Sequence, residues 1–428
     1  TNLKVDEAID YIRSVNWLGS KLGLSRIREL LDKLGNPQKS LRFVHVAGTN
    51  GKGSTCAMIA SVLRASGYRV GLYTSPYISR INEYMSVSGE AISDEELSEL
   101  VGFVQPFADS MDDHPTEFEI ITALAMLYFK RHQCDIVVLE VGLGGELDST
   151  NVIDTPELAV ITAIGLDHTA QLGNNIEEIA FAKAGIIKPD GDVVVYGTEP
   201  EAMRVFEEKC KSVGARLHRV DFSRLSVKKL SLDGAVADFK PYFDLFVPLA
   251  GTYQPKNMAL AVTALEVLRE KGWHITEGSL RTGLANVSWP GRFELLCRDP
   301  VVILDGAHNV YGVKAATEGF VSLFPGQKLV ILIGVMADKD VKNMVELLAK
   351  HAAAFVTVTP QNPRALPAEK LAEQIRVFGV PATACGSIDE GAHLAVKLAR
   401  ERGCPIAALG SLYFSADVRR AFSKICNK

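Results

Sequence analysis

Short uninterrupted apolar runs, each followed by a helix-length amphipathic stretch, recur along this chain. In the first half the runs fall at 43–47, 69–74, 135–141, 158–163 and 192–197. They do not alternate with polar residues, which is how a strand buried on both faces reads. Between them, apolar spacings of three and four predict helices over 95–105, 117–131 and 176–186. Strand and helix in alternation predict an α/β fold with largely parallel sheets. Residues 217–247 break this rhythm with short, polar-interrupted segments, which predict a small antiparallel β insertion, and 257–271 reads as a helix. Trp289-Pro290-Gly291-Arg292 interrupts regular structure, so a boundary is expected between 288 and 299. Beyond it, strands at 301–304, 329–333, 355–359 and 406–409 alternate with helices and predict a second, smaller open sheet.

The first apolar run leads into Gly48-Thr49-Asn50-Gly51-Lys52-Gly53-Ser54, and a helix is expected from about Ser54 to Ser66. Strand, glycine-rich turn, lysine and helix N-terminus together suit a polyphosphate. Glycines let backbone N–H groups close on the anion, the helix end adds partial positive charge, and lysine adds a full one. The usual phosphate loop carries a glycine two residues before Gly48 and a hydroxyl directly after the lysine. Val46 and Gly53 stand there instead, and Ser54 comes one position late.

Composition narrows the remaining possibilities. At 428 residues, with 47% hydrophobic and 23% charged positions, the chain is long enough for two or three globular domains. A net charge of −5 gives no general attraction to nucleic acid or an anionic membrane, so any anion site must be local. No run of eighteen apolar residues occurs, and the opening Thr1-Asn2-Leu3-Lys4 is not expected to be a signal peptide. The seven cysteines are scattered without a C-x-x-C pair and are expected to be small buried residues in a reducing cytoplasm.

Ligands of open parallel sheets sit beyond the carboxyl ends of the strands, so strand ends are where chemistry is sought. The second run ends in Thr74-Ser75-Pro76 and puts a hydroxyl at the rim. The run 136–139 ends in Glu140, followed by Gly142, Gly144 and Gly145. A carboxylate at the end of a buried strand needs a cation or a partner. The next run leads to Asp167-His168, a pair suited to metal binding or proton transfer. Lys183 lies in a mostly apolar helix. Lys52, Ser75, Glu140 and His168 all map near one rim of one sheet, which points to a magnesium–nucleoside triphosphate site.

Taken in order, these motifs resemble the folylpolyglutamate synthase and dihydrofolate synthase family of the Mur ligases. Further motifs carry the resemblance: Phe118-Glu119 with Thr122, Asp148-Ser149-Thr150-Asn151, Gln254-Pro255-Lys256-Asn257, Asp305-Gly306-Ala307-His308-Asn309, Asp338-Lys339-Asp340 and Gly410-Ser411-Leu412-Tyr413. The resemblance implies a P-loop ATPase-like, mostly parallel domain over 1–293 and a smaller Rossmann-like glutamate-ligase domain over 294–428. It implies that the segment Gly48, Thr49, Asn50, Gly51, Lys52, Gly53 and Ser54 cradles the ATP phosphates. Asn257 would meet the adenine, Arg292 the phosphates, and Asp305 and His308 the nucleotide or glutamate. Ser75 and Glu140 would ligate a first magnesium, and Glu140, His168 and Lys183 a second, with Lys183 carbamylated by carbon dioxide. Pro76, Tyr77, Arg80, Glu119 and Ser411 would line the substrates.

The activity implied is ATP-dependent addition of L-glutamate to a folate through an acyl phosphate, with dihydropteroate as a further acceptor. A cytoplasmic monomer is expected, with no nucleic-acid or membrane partner. One departure stands out. Where the family carries a basic residue behind an acidic one, Glu83 is followed by Tyr84, and Arg80 would have to supply the charge. Two other readings compete: a cell-wall Mur ligase and a P-loop nucleotide switch. The first normally carries an additional N-terminal domain, but only about forty residues precede the loop here. The second gives no reason for a second open sheet.

Overall fold

The computed structural model describes residues 3–15, 21–75, 80–166 and 169–426. The chain forms two compact units. One holds Thr1–Ser226, Asp238–Leu245 and Pro255–Val287, and the other Val227–Ala237, Phe246–Gln254 and Ser288–Lys428.

The first unit is built on eight strands: β1 Phe43–Ala47, β2 Val70–Tyr73, β3 Met85–Val87, β4 Glu90–Ala91, β5 Ile136–Glu140, β6 Leu158–Ile161, β7 Asp192–Val195 and β8 Arg216–Arg219. Their order across the sheet is β4-β3-β2-β5-β1-β6-β7-β8. From β2 to β8 every neighbouring pair is parallel, while β3 and β4 add antiparallel at the β2 edge. All five residues of β1 and of β5 are buried, as apolar strands covered by helices on both faces must be. The consequence for function is topological. β1 lies between β5 and β6, so loops about ninety residues apart in sequence emerge side by side at one rim.

Helices Asp94–Asp109 and Glu117–Arg131 cover one face, together with Val5–Ser14 and Ser25–Lys33. The two N-terminal helices were not anticipated. Their apolar positions Ala8, Ile12, Ile27, Leu30 and Leu31 join the same core as Ile120, Leu124 and Phe129. Helices Ile176–Ala184 and Pro200–Val213 pack with Ile161, Val193 and Val195 in a separate core cluster.

One expectation needs correcting. The stretch beginning at 217 does not open an antiparallel insertion, because β8 is a parallel edge strand paired with β7. Its polar character reflects that edge position: Arg216 and Arg219 are exposed, and Arg216 and His218 bind Asp192 of β7. The insertion proper is a three-stranded sheet of β9 Leu225–Ser231, β10 Gly234–Phe239 and β11 Tyr242–Val247, in the order β11-β10-β9, with residues divided between the two units.

The second unit carries six strands: β12 Glu294–Arg298, β13 Val301–Leu304, β14 Leu329–Ile333, β15 Ala352–Thr357, β16 Ala382–Ala384 and β17 Ile406–Leu409. Their order is β12-β13-β17-β14-β15-β16, all parallel except β12 against β13. The cysteine expectation fails here in one respect. Cys297 of β12 and Cys426, the last residue of helix Ser415–Cys426, form a disulfide with Cα atoms 5.9 Å apart. A pairing across 129 residues leaves no local spacing signal. Cys56, Cys134 and Cys210 are buried free thiols as expected. Among the described residues no helix is long and apolar enough to cross a membrane.

Candidate active site

The phosphate loop follows β1 without a break. Gly48 has φ +152°, and a Cβ there would lie 1.6 Å from Thr162 Oγ1. Gly51 has φ +83°, and a Cβ there would lie 2.5 Å from Asn257 Oδ1. Only glycine satisfies both the conformation and the contact at these two positions. The loop is stapled to the segment after β6. Thr49 N and Asn50 N donate to Ala163 O at 3.0 and 3.2 Å, and Thr49 Oγ1 and Gly165 exchange hydrogen bonds at 3.0 Å. Helix Lys52–Ala65 then starts without a capping side chain or an acidic residue in its first turn. Its first N–H groups are therefore left for an anion. The helix begins two residues earlier than expected, so Lys52 and Gly53 lie inside it and Ser54 is buried in its first turn.

Two lysines converge on this loop. Lys52 Nζ donates to Gly48 O at 2.9 Å, and Lys183 Nζ donates to the same oxygen at 3.0 Å. Lys183 is only 3% exposed. Its helix is held close by the glycine-rich loop after β5. Glu146 N donates to Ala182 O at 2.8 Å, and a Cβ on Gly145 would lie 3.0 Å from Lys183 Cα. The glycines after Glu140 thus let backbone meet helix.

Glu140 ends β5, directly opposite Val46 of β1, and is 4% exposed. Its Oε2 accepts from Ser75 N at 3.1 Å, which joins the end of β2 to the end of β5. Cys56, one helical turn beyond Lys52, is fully buried. Burial first, and then the Glu140 charge, push its thiol well above the ordinary value, so it is no nucleophile. His168 lies outside the described residues, as do Pro76 and Tyr77. Among the described residues no group of three or more His, Cys, Asp or Glu gathers in the manner of a closed metal site.

A buried polar network holds up the glycine-rich loop. Asp148 accepts from Leu143 N at 2.9 Å, Thr150 N at 3.1 Å and Thr150 Oγ1 at 2.5 Å. Thr150 Oγ1 in turn meets His45 Nε2 of β1 at 2.8 Å. Asn151 Nδ2 donates to Glu146 O and Gly185 O, at 3.0 and 3.1 Å, which clamps the loop to the helix of Lys183. Burial, assisted by Lys188, drives the His45 imidazole down to about 3, so it is neutral throughout the physiological range.

The sequence did not disclose what the substrate-lining candidates Glu119 and Arg80 do in the fold. Glu119 Oε1 accepts from Thr116 N and from Arg26 Nε, both at 2.9 Å, as a helix cap and a buried ion pair. The spacing Thr116-x-x-Glu119 is the capping-box signature and could have found the first of these. Arg80 pairs with Asp94, and its side chain is 58% exposed. Tyr84 is buried, with its ring 6.0 Å from that of Tyr73.

In the second unit another set comes together. Asp305, after β13, is buried and accepts from Phe293 N at 2.9 Å and Ala307 N at 2.8 Å. Burial raises its carboxyl above the ordinary range and the nearby Arg292 charge opposes that rise. His308 Nδ1 meets Gly306 O at 2.8 Å. Ser411 is 1% exposed, and its Oγ accepts from Tyr413 N at 3.0 Å. The site candidates thus fall into two groups. Gly48, Gly51, Lys52, Ser75, Glu140, Lys183 and Asn257 belong to the first unit, and Arg292, Asp305, His308 and Ser411 to the second.

Comparison with known proteins identifies the family. The Mur ligase middle domain matches residues 46–265, and the Mur ligase glutamate ligase domain matches 291–411. The dihydrofolate synthase/folylpolyglutamate synthase of Bacillus subtilis is 40% identical over 97% of this chain and 98% of its own length. Folylpolyglutamate synthase of Mycobacterium tuberculosis, solved with ADP and AMPPCP, superimposes with a TM-score of 0.86 at 30% identity, covering 97% of this chain and 99% of that one. An FPGS–AMPPCP–folate complex gives 0.81 at 37% identity, covering 98% and 99%. The chain belongs to the folylpolyglutamate synthase/dihydrofolate synthase family of the Mur ligases.

Proposed function

We propose that this protein is an ATP-dependent ligase that joins L-glutamate to the glutamate carboxylate of reduced folates. The observation that carries the reading is the phosphate loop itself. Gly48 and Gly51 are sterically obligatory, the helix end is uncapped, and Lys52 and Lys183 meet one carbonyl beside it. The kinship with folate ligases supplies the substrate class.

A carboxylate and an amine alone form only a salt, so the carboxylate must be activated. A folate carboxylate oxygen attacks the γ-phosphorus of ATP, the β–γ bridging oxygen leaves with ADP, and an acyl phosphate results. The deprotonated amine of glutamate then attacks the acyl carbon. Phosphate departs with the C–O bonding pair and the nitrogen gives up one proton to the departing phosphate or water, leaving an amide. Lys52 and the backbone N–H groups at 51–54 hold the phosphates and offset their charge. Asn257, packed on Gly51, is assigned to the adenine, and Arg292 to the phosphates. Asp305 and His308 are assigned to the nucleotide or glutamate, and Ser411 to the substrate.

A divalent cation, when bound, neutralises charge on the transferring phosphoryl group. Among the described residues the buried Glu140 carboxylate and the Ser75 hydroxyl suit a magnesium ion, and the family resemblance adds His168 and Lys183, as its carbamate, for a second. An ammonium repels a cation, whereas a carbamate presents two anionic oxygens. In this reading residues 1–293 carry ATP and metal, 294–428 form the glutamate-ligase half, and the enzyme works as a cytoplasmic monomer. Dihydropteroate is a second acceptor, because the Bacillus subtilis relative is named for both activities.

Phosphate release measured with ATP, glutamate and either tetrahydrofolate or dihydropteroate tests the reading. Release should require both an acceptor and glutamate. Hydroxylamine in place of glutamate should trap a hydroxamate. Phosphate release indifferent to both substrates would instead mark a nucleotide switch.

A further inference from the structure

Arg292 sits in a loop that is anchored on both sides of it. Before it, Gly291 N donates to Glu294 Oε2 at 2.7 Å and Gly291 O accepts from Gly306 N at 2.7 Å. After it, Phe293 N donates to Asp305 Oδ2 at 2.9 Å. The guanidinium runs along Gly306, where an added Cβ would lie 3.4 Å from Arg292 Nη1. Glu294 is itself gripped from the last helix of the chain. Arg419 Nε donates to Glu294 Oε1 at 3.1 Å and Nη2 to Oε2 at 2.7 Å. This is a two-pronged guanidinium–carboxylate pair, with one carboxylate oxygen shared by the loop backbone. The helix of Arg419 is fixed at its far end by the Cys426–Cys297 disulfide on β12, the strand that Glu294 begins. All of these residues lie in the second unit.

We propose that Glu294 and Arg419 are positioning residues for the ligase reaction: as a rigid pair they fix the Gly291 peptide and so aim Arg292 at the ATP phosphates. The proposal rests on the assignment of Arg292 to those phosphates. Geometry separates it from a purely structural role. The Arg419 and Glu294 side chains are 34% and 27% exposed, and a partly solvated pair adds little to global stability. Its two-pronged form, with one oxygen spent on a backbone N–H, instead fixes direction. A lysine at 419 would keep the charge but lose the fork.

The test is steady-state kinetics of the full-length enzyme with Glu294→Gln, Arg419→Lys, Arg292→Ala and the Glu294→Gln/Arg292→Ala double variant. Thermal melting is recorded on each. Glu294→Gln should raise the KM for ATP about tenfold, leave the KM for glutamate unchanged, and hardly move the melting temperature. Arg419→Lys should show the same pattern, more weakly. In the Arg292→Ala background, Glu294→Gln should add nothing, because the residue it aims is gone. An unaltered KM for ATP in Glu294→Gln, or an equal further loss in the double variant, would overturn the positioning role while leaving Arg292 in place. Unimpaired use of ATP by Arg292→Ala would remove the assignment of Arg292 itself, and the proposal with it.

Discussion

At the scale of single residues, one oxygen organises the proposed chemistry. Gly48 O accepts from both Lys52 and Lys183, so the two lysine side chains are held close together on one carbonyl. Two like charges crowded at a buried site repel each other, and turning Lys183 into a carbamate would reverse its charge. Lys183→Ala should therefore lower ligase turnover by roughly a thousandfold or more. Formate or acetate should restore part of the rate if a carbamate is what was lost. Turnover with and without the added carboxylate is the measurement, and a variant as active as the parent would refute the role. Glu140 was legible in the sequence because a buried parallel strand delivers its last residue to a known place, and Lys52 because a glycine-rich turn between strand and helix marks it. The work of Asp148 and Asp305 was not legible. Each holds backbone N–H groups of a neighbouring loop, and a motif shows the residue type without showing which N–H it meets.

At the scale of elements, β1, β13, β14 and β17 start and stop where their apolar runs do. Buried strands show in sequence because both faces are apolar. β3, β4, β8 and β16 are short or lie toward sheet edges, where one face or one side meets water and the apolar signal fades. β8 shows what replaces it. Its Arg216 and His218, together with Lys271, surround Asp192 at the start of β7. Arg216 first, then the other two, hold that carboxyl well below the usual carboxylate range against the opposing effect of burial. A carboxylate with a depressed folded-state pKa stabilises above its unfolded value, about 4, and that contribution disappears as pH falls through the folded value. Asp192→Asn should thus lower the melting temperature at pH 7, and the deficit should shrink progressively below about pH 4. Thermal melts of parent and variant across that range check the sign.

At the scale of the whole molecule, the two units carry separate core clusters, one set around β1–β8 and the other around β12–β17. Calorimetry should resolve their unfolding. The Cys297–Cys426 link spans 129 residues, most of the second unit, so by chain entropy it stabilises that unit by up to about 5 kcal/mol. Cys426→Ser, or a reductant, should move the transition of the second unit downward and leave the other in place. Equal shifts in both transitions would contradict this assignment. The first unit has its own long-range tie. Arg26, on the helix Ser25–Lys33, reaches Glu119 inside the cap of the helix Glu117–Arg131. The segment matched by the Mur ligase middle domain begins only at 46. A fragment trimmed to that segment would lose the first three residues of β1 and uncover the apolar faces of the helices Asp94–Asp109 and Glu117–Arg131, on which Ala8, Ile12, Ile27, Leu30 and Leu31 pack. The nucleotide-holding half therefore cannot be excised at its motif boundaries, and its smallest self-supporting piece reaches back to the opening helices.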